Sequence, residues 1–424
     1  MLLAVAFVAG AIIGLWRGSI DQNDIARFAA VYGKRMTVTG TVKDDVELNG
    51  RGQTVMRLNN LRVGDSPVTG SIYATTKATA DIKRSDTVVL DGRLDEGFGN
   101  FVATMYSAKL VQATREAGKD PLLGTRDSLA ENVRESVDEP AASLGIGYLF
   151  GQKRALPADL QDALMIAGLT HIVVASGYNL TILVRLTRRL FARVSKYLAM
   201  VTSGTLVVSF IAMTGLGPSM TRAGIVAGLA LWAWYYGRKF HPVTLLGIAT
   251  GATVLWDPSF AWGDVGWQLS FAAFAGVMLV APLMKAYFYG KERQGTVSQI
   301  LFETVSAQVT TAPIILVVFG QFSNVAILGN LLILPFIPLA MLLTAIAAVG
   351  GMLPAWADVA GWPAQALLGA MIAVVEWCAS LPWAQMEVAF PWWGVVAWYG
   401  AVALGCVYVW RVTGYKLRDS SIVE

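Results

Sequence analysis

The sequence predicts a polytopic α-helical membrane protein of about ten helices, some short or re-entrant, with a small N-terminal extracytoplasmic β-barrel (OB-like) domain. Hydrophobic residues make up 55% of the chain and charged residues only 15%, whereas soluble domains carry about 25% charged residues. Mean hydropathy is +0.54. One region departs from this composition: it alternates β-branched and polar residues, which predicts the β domain.

Residues 1–16 are apolar and contain no lysine or arginine. A cleaved signal peptide normally begins with a basic region and ends at a small-residue cleavage site. We therefore expect an N-terminal membrane helix here, with a cleaved signal peptide as the alternative.

Residues 33–113 predict the β domain. Turn signals such as Asn49-Gly50 separate five period-2 runs, at 36–43, 54–63, 68–75, 87–93 and 101–111. Five short strands in so few residues are typical of a small OB-like barrel.

OB barrels often bind single-stranded nucleic acid through basic grooves and stacking aromatic rings. Residues 34–109 hold eleven basic and nine acidic residues, which is nearly neutral. The aromatic residues of the barrel strands and their loops are Tyr73, Phe98, Phe101 and Tyr106. The charge balance favours a structural or protein-docking role over a nucleic-acid site.

Residues 114–167 are predicted to form a linker with amphipathic helices. Leu129, Val133 and Val137 recur at a spacing of four on a charged background. That pattern suits a helix lying on the membrane surface or on protein.

Residues 168–411 are predicted to form the polytopic domain and residues 412–424 a cytoplasmic tail. The apolar segments are 172–184, 198–216, 223–236, 242–256, 265–283, 299–319, 325–349, 362–381 and 392–410. Segments 172–184, 223–236 and 242–256 are shorter than the roughly 20 residues of a full crossing. Such short segments are expected to be broken or re-entrant helices that line a cavity.

The loops between these segments predict the orientation. Placing residues 185–196 in the cytoplasm collects the loop arginines and lysines on that side and leaves Arg222 on the other. Basic residues stay cytoplasmic because they resist translocation. The C-terminus is then inside, and the β domain is outside the cytoplasmic (inner) membrane.

Polar residues interrupt the apolar segments in three places, the first of which is GLTHIVVASGYN. It contributes His171, Ser176, Gly177, Tyr178 and Asn179. Hydrocarbon penalises polar groups, so they usually face a protein interior or a water path. The alternative interpretation is polar contact between neighbouring helices.

The second and third places add charged and amide side chains. Arg222 lies in GPSMTRAGIVAGL, and it either snorkels to the interface or serves a polyanion or Asp264. Asp264 and Gln268 are four residues apart, which would place them on one helix face. The third place supplies the channel-lining candidates Gln308, Gln321 and Asn330, for which packing is the alternative.

Several function classes lack their sequence marks. P-loop, HEXXH and GXSXG patterns are missing, and two histidines do not make a His-rich catalytic metal centre. A membrane-embedded enzyme using Asp264 or Glu303 as general base ranks low, because no nucleophile accompanies them. We expect no enzyme activity, no cofactor and no metal. Cys378 and Cys406 are expected to be buried small residues, with a disulfide as the alternative.

The polar motifs resemble those of the ComEC-type competence proteins, the channels for uptake of transforming DNA. The residues that carry the resemblance are GLTHIVVASGYN, GPSMTRAGIVAGL, GDVGWQLSF and AQVTTAPIILVVFGQFSNVAILGNLLILP. The family's patterns read roughly GLxHLLAISGLH, SPSxxRA, DVGFQLSF and AQ…P…FGQFS…N…P. The order agrees from about residue 141 to the last helix.

The resemblance implies a channel that passes single-stranded DNA across the cytoplasmic membrane during natural competence. The expected partners are single-stranded DNA, the lipid bilayer, a cytoplasmic DNA motor or helicase, and a separate nuclease. The alternative is a secondary transporter or flippase for a small anionic or lipid-linked substrate.

The sequence departs from the family in two respects. Asn179 stands where the family has histidine, which puts a proton or metal role of that position in doubt. Many members also carry a C-terminal metallo-β-lactamase-like domain, and this sequence contains no HxHxDH cluster. A nuclease activity of the chain itself is therefore not expected.

Overall fold

The chain forms two compact units, Met1–Gly124 with Gly251–Val265, and Thr125–Thr250 with Gly266–Glu424. The computed structural model describes residues 13–14, 16–19, 31–49, 52–64, 66–77, 82–115, 120–152, 156–173, 177–215, 217–238, 241–290, 295–353 and 355–415. Most of the predicted helix 1–16, Ser176 and the tail beyond residue 415 lie outside the described residues.

The first unit contains the predicted β domain. Its strands are β1 (Arg35–Val42), β2 (Glu47–Leu48), β3 (Thr54–Val63), β4 (Ser66–Val68), β5 (Ile72–Thr76), β6 (Thr87–Arg93), β7 (Asp95–Glu96) and β8 (Ala103–Thr114). The five long strands close a barrel in the order β1-β6-β8-β5-β3-β1. The β5–β8 pair is parallel and the other pairs of the barrel are antiparallel. A closed five-stranded barrel confirms the OB-like prediction.

The barrel core explains why these runs form strands. Val38, Leu58, Ile72, Leu90 and Met105 come from the five long strands and are all at most 1% exposed. Side chains alternate between the two faces of a strand, so the period-2 runs place their apolar residues inside the barrel. These residues form a hydrophobic cluster of their own.

The helices correspond to the predicted linker and apolar segments, but they begin and end at different residues. They are α1 (Pro121–Ser136), α2 (Ala141–Phe150), α3 (Ala158–Ile166), α4 (Thr170–Val173), α5 (Gly177–Phe191), α6 (Lys196–Thr214), α7 (Pro218–Tyr235), α8 (Pro242–Trp256), α9 (Ser259–Gly263), α10 (Val265–Ala275), α11 (Ala281–Tyr289), α12 (Thr296–Phe319), α13 (Ala326–Ile333), α14 (Ile337–Gly350), α15 (Ala357–Ala379) and α16 (Trp392–Thr413). A π-helical turn, Gly276–Val280, joins α10 to α11, and a 3-10 turn, Leu334–Phe336, joins α13 to α14.

Six of these stretches are long and apolar enough to cross a membrane. They are Lys196–Thr214, Val265–Tyr289, Thr296–Phe319, Ala326–Gly350, Ala357–Ala379 and Trp392–Thr413. Helices α5 and α8 have 15 residues each, which agrees with the expectation of short segments. The polytopic α-helical fold is thereby confirmed.

Helix α7 is longer than predicted, because it begins at Pro218 and not at residue 223. Proline suits the first turn of a helix, since its fixed φ is helical and that turn needs no N–H partner. Arg222 therefore lies inside the helix, in its second turn.

The amphipathic α1 packs on protein, which decides between the two predicted environments. Val133 and Val137 are buried in one cluster with residues of α2, α14 and α15. Asn132 Nδ2 donates to the Ala348 carbonyl at 3.2 Å, and Ser136 Oγ donates to the Ala347 carbonyl at 3.3 Å. The predicted linker is thus part of the helical core of the second unit.

Helices α5, α6 and α7 have a separate small core. Leu180, Val184, Val207, Phe210, Met220 and Ala223 form it. The start of the SGYN helix and the start of the TRAG helix are therefore held side by side. Elsewhere in the second unit, Gln321–Ser323 (β9) pairs antiparallel with Gln385–Glu387 (β10).

Candidate functional site

Arg222 is seated among polar and aromatic side chains of α7 and α10. Its Nε donates to Ser270 Oγ at 2.7 Å, and Ser219 Oγ lies 3.2 Å from the same hydroxyl. The guanidinium carbon lies 5.8 Å from the centre of the Phe271 ring and 5.1 Å from that of Phe274. A cation at this distance from aromatic rings is attracted by their π-electrons. These contacts hold the Arg222 side chain in place, and none of them comes from a carboxylate.

Gly177 brings the SGYN motif to the same arginine. A Cβ atom on Gly177 would lie 3.2 Å from Ala223 Cβ and 3.3 Å from Arg222 Nη2. A larger side chain would push against both helix α7 and the guanidinium. The glycine therefore permits a close approach of the first quoted motif to the second, and the Arg222–Ser270 hydrogen bond connects the second to the third.

Ser270 was not among the predicted site residues. Its only signal in the sequence is its place in the QLSF run, two residues after Gln268. Gln268 is partly buried in α10. Asp264 has extended backbone dihedrals and precedes α10, so the predicted shared helix face of these two residues was wrong.

The structure gives Arg222 and Asp264 different partners. Arg222 donates to Ser270, whereas Asp264 Oδ2 accepts a 2.9 Å hydrogen bond from Asn100 Nδ2 of the barrel unit. Gly99 and Gly263 approach so closely that neither has room for a Cβ atom. Asp264 therefore holds the loop before β8 to the segment Gly251–Val265 within the first unit.

Asn179 lies in the protein interior and not on an open surface. Its side chain is fully buried, and its Nδ2 donates to the carbonyl of Tyr148 in α2 at 3.1 Å. Tyr178, its neighbour, is 39% exposed, and its hydroxyl lies 3.4 Å from the Leu334 carbonyl. These contacts give Asn179 a structural role in joining α5 to α2.

A second group forms where the GLTH motif meets the FGQFSN motif. Gly168 has a φ of +69°, and a Cβ atom there would collide with Ala326. Ser323 Oγ donates to the Ile166 carbonyl at 2.6 Å, and Gln308 Nε2 donates to the Ser323 carbonyl at 3.2 Å. Three segments are thereby joined by direct hydrogen bonds.

The other predicted residues surround this second group or lie near it in the chain. His171 is exposed, with Nδ1 3.1 Å from the Gly168 carbonyl. Gln321 is part of β9 and pairs with Glu387. Gln308 Oε1 and Asn330 Oδ1 are buried and accept no hydrogen bond from the described residues. Buried amide oxygens usually have a protein or water donor, so these two mark positions where a polar group would be accommodated.

Removing the Ser323 hydroxyl tests how much this junction contributes. We expect Ser323→Ala to lower the free energy of unfolding by about 1 kcal/mol, because one short hydrogen bond between distant segments is lost. Thermal unfolding of the purified protein in detergent measures the effect. Ser380→Ala is the matched control, because its hydroxyl bonds only to Trp377 three residues away. An equal change in both variants would contradict a special role of the junction.

Charged residues are unevenly distributed along the chain. Residues 163–256 contain eight lysines and arginines and no aspartate or glutamate. This range covers α4 to α8, and Arg222 lies near the start of α7 within it. A polyanion near these helices would meet positive charge from this segment without acidic residues of the same segment to repel it.

The barrel carries an aromatic face, formed by Tyr73, Phe98, Phe101 and Tyr106. Ring centres are 5.3 Å apart for Tyr73 and Phe98, and 6.1 Å apart for Tyr73 and Tyr106. Phe98 is 49% exposed and Tyr106 54%. Arg57 stands opposite Tyr73 in the β3–β5 register. Burial raises the pKa of the Tyr73 phenol, so this ring stays neutral.

Of these four rings, Tyr73 lies on β5, Phe98 and Phe101 lie in the loop before β8, and Tyr106 lies on β8. In barrel order, β3 and β5 are the second and third strands, and that face binds oligonucleotides in OB folds. The clustering of the four rings is a structural finding that the near-neutral charge balance did not indicate. Among the described residues, no group of three His, Cys, Asp or Glu side chains could hold a metal ion.

Comparison with known proteins agrees with the motifs. The family model for "Competence protein" matches residues 148–412, which is more than half of the chain. An uncharacterized protein of Aquifex aeolicus (strain VF5) is 29% identical over 210 residues, 49% of this chain and 47% of that protein. ComE operon protein 3 of Bacillus subtilis (strain 168) is 23% identical over 214 residues, 50% of this chain and 27% of that protein.

The aligned part thus spans less than half the length of either relative. No solved structure matches the chain. The family match covers the four motifs, the seat of Arg222 and the junction around Ser323. The chain belongs to the competence protein family, of the ComEC type.

Proposed function

We propose that the chain serves DNA uptake in competence as a membrane conduit for single-stranded DNA. The main support for this proposal is the environment of Arg222. Its guanidinium bonds to Ser270 and lies near aromatic rings, and Gly177 leaves room for it because glycine has no side chain. A phosphate backbone needs positive potential along its path, and unpaired bases stack on aromatic rings without regard to sequence. Arg222 supplies the positive charge at this point, and Phe271 and Phe274 hold it in position.

The segment around Arg222 strengthens the argument. A small anionic substrate would need one localised cationic site, whereas the eight basic residues of 163–256 lie on three helices, α5, α6 and α7, and in the sequence that follows α5 and α7. Such a distribution suits an extended polyanion. The buried amide oxygens of Gln308 and Asn330 are groups that a hydrated, polar path would satisfy.

Contacts within the first unit support the proposed orientation, with the barrel outside the cytoplasmic membrane. Lys43 lies over the ring of Phe260 at 6.0 Å, and Asn100 bonds to Asp264. Phe260 and Asp264 belong to a connection that the distribution of loop charges assigns to the outside. Barrel and connection therefore belong on the same side, which agrees with the proposed direction of entry.

The sequence lacks the P-loop pattern that marks many nucleotide-hydrolysing motors. The proposal therefore includes a separate cytoplasmic motor or helicase that pulls the strand, and a separate nuclease that supplies it. The alternative remains a secondary transporter or flippase for a small anionic or lipid-linked substrate.

An uptake assay tests the proposal. Labelled duplex DNA is given to cells with and without the gene, external DNA is digested with nuclease, and the protected label inside is counted. We expect protected label only in cells that make the protein. Normal DNA entry in the deletion strain would overturn the conduit. Saturable uptake of a small anion or lipid-linked substrate in its place would favour the alternative.

The aromatic face of the barrel is proposed to receive the strand before it enters the membrane. Stacking of one base on an aromatic ring contributes about 1–3 kcal/mol. Two rings are removed in the double variant Phe98→Ala and Tyr106→Ala, so we expect it to bind a single-stranded oligonucleotide at least roughly 30-fold more weakly. Fluorescence anisotropy with the purified full chain measures the affinity.

Tyr408→Ala is the control for this variant, since Tyr408 is 60% exposed and belongs to α16, in the other unit. Unchanged affinity in the double variant would exclude the aromatic face as the DNA-binding surface. It would favour the structural or docking role that the charge balance of the barrel indicates.

A further inference from the structure

Two cations share one indole ring at the ends of α5 and α7. The guanidinium carbon of Arg188 lies 4.4 Å from the centre of the Trp234 ring, and Lys196 Nζ lies 5.6 Å from it. Lys196 Nζ is also 5.7 Å from the centre of the Tyr235 ring. Arg188, Lys196, Trp234 and Tyr235 form what we call the basic–aromatic cluster. It lies at the opposite end of α7 from Arg222 and takes no part in the seat of that arginine.

The surroundings of the cluster add positive charge. Arg185, Arg189 and Arg193 lie in the same helix end and loop as Arg188, and Arg238 follows α7. The whole segment 163–256 is free of acidic residues. Like charges repel when they converge, and an anion between them removes that repulsion. The cluster therefore has the charge of an anion-binding site.

Exposed aliphatic side chains alternate with these cations. Leu190 is 62% exposed and Val194 75%, and Tyr197 beside Lys196 is 65% exposed. A strand of nucleic acid would contact the cations and rings but would leave leucine and valine in water. A lipid satisfies both, because its phosphate meets the cations and its acyl chains cover the apolar side chains. Tryptophan and tyrosine are also the residues enriched at the membrane–water boundary.

We propose that the basic–aromatic cluster binds the phosphate-bearing headgroup of an anionic phospholipid at the membrane surface that the loop charges assign to the cytoplasm. The bound headgroup holds the α5 and α7 ends together and fixes them at the boundary. This inference does not depend on DNA passage, since it concerns the lipid contact of the folded protein.

Native mass spectrometry of the purified full chain tests the proposal. The protein is titrated with phosphatidylglycerol, which is anionic, and with phosphatidylcholine, which is zwitterionic. We expect preferential binding of phosphatidylglycerol. The double variant Arg188→Gln and Lys196→Gln should bind it roughly 30-fold more weakly, given the usual attraction of two basic residues to an anionic surface. Binding of phosphatidylcholine should be unchanged.

The control removes two positive charges elsewhere, through Lys109→Gln and Arg411→Gln, both exposed in the structure. If the control lost phosphatidylglycerol binding equally, general charge attraction would explain the binding and the proposed site would be wrong. Equal binding of both lipids by the unchanged protein would also overturn the proposal. Trp234→Leu keeps every charge, and we expect it to weaken phosphatidylglycerol binding about fivefold, through loss of the cation–π contacts of Arg188 and Lys196 with this ring. No loss in Trp234→Leu would contradict the role of the shared ring.

Two competitors identify the source of the phosphate. Inorganic phosphate at millimolar concentration should not displace phosphatidylglycerol, because it lacks acyl chains. A single-stranded oligonucleotide of about twelve nucleotides should not displace it either. Displacement by inorganic phosphate would show a simple anion site, and displacement by the oligonucleotide would show a strand-binding site. Either result would overturn the lipid assignment.

Discussion

Replacing Arg222 by glutamine is expected to lower the uptake of nuclease-protected DNA about 100-fold. The guanidinium is held by Ser270 and by the faces of Phe271 and Phe274, so its position in the proposed DNA path is fixed. A unit charge about 5 Å from a phosphate is worth roughly 3 kcal/mol at an effective dielectric constant near 20. If the free-energy barrier to DNA passage rises by that amount, the rate of uptake falls about 100-fold.

Two further variants separate charge from geometry. Arg222→Lys keeps the charge but loses the Nε contact with Ser270, and we expect an uptake between that of the glutamine variant and the unchanged protein. Arg411→Gln removes an exposed arginine of α16 and should leave uptake unchanged. Immunoblotting of membranes confirms equal amounts of each variant. Uptake by Arg222→Gln at the unchanged rate would remove Arg222 from the proposed DNA path.

Gly177 connects this prediction to the sequence motif. The SGYN run predicts a turn or a close approach, because glycine lacks a Cβ atom. The structure identifies the approaching groups as Ala223 Cβ and Arg222 Nη2. The motif shows that some group can approach the glycine closely. Which group approaches depends on tertiary packing, which the spacing of residues along the chain does not reveal.

The barrel was more predictable than the site. Its alternating runs are a local signal, and the five runs became the five strands that close the barrel. Strands β2, β4 and β7 have only two or three residues, too few for a period to be recognised. The aromatic face was not predicted either, because Tyr73 and Phe98 come together only through the barrel's closure.

The helices show the same division between local and tertiary signals. Hydropathy located the apolar segments, since burial in lipid acts on each segment by itself. The position of α1 was left open, because an amphipathic helix fits equally well on a membrane surface and on protein. Only the partners of Asn132 and Ser136 on α14 decide it.

Asn179 stands where the family has histidine, and its environment shows what the two residues share. The side chain is fully buried and donates from Nδ2 to the Tyr148 carbonyl at 3.1 Å. Histidine Nδ1 is separated from the backbone by the same number of bonds as asparagine Nδ2. A neutral imidazole with its proton on Nδ1 would therefore make the same hydrogen bond. The exchange of one for the other requires no proton transfer and no metal at this position.

We therefore expect Asn179→His to retain uptake and stability, and Asn179→Leu to lose both. Leucine has the same number of side-chain heavy atoms as asparagine, branched at the same carbon, but leaves the buried Tyr148 carbonyl without this donor, which costs about 1–3 kcal/mol. The thermal unfolding temperature and the amount of protein in membranes measure the loss. If Asn179→Leu were as stable as the unchanged protein and yet failed in uptake, Asn179 would act on the passing strand. Its assignment as a link between α5 and α2 would then be wrong.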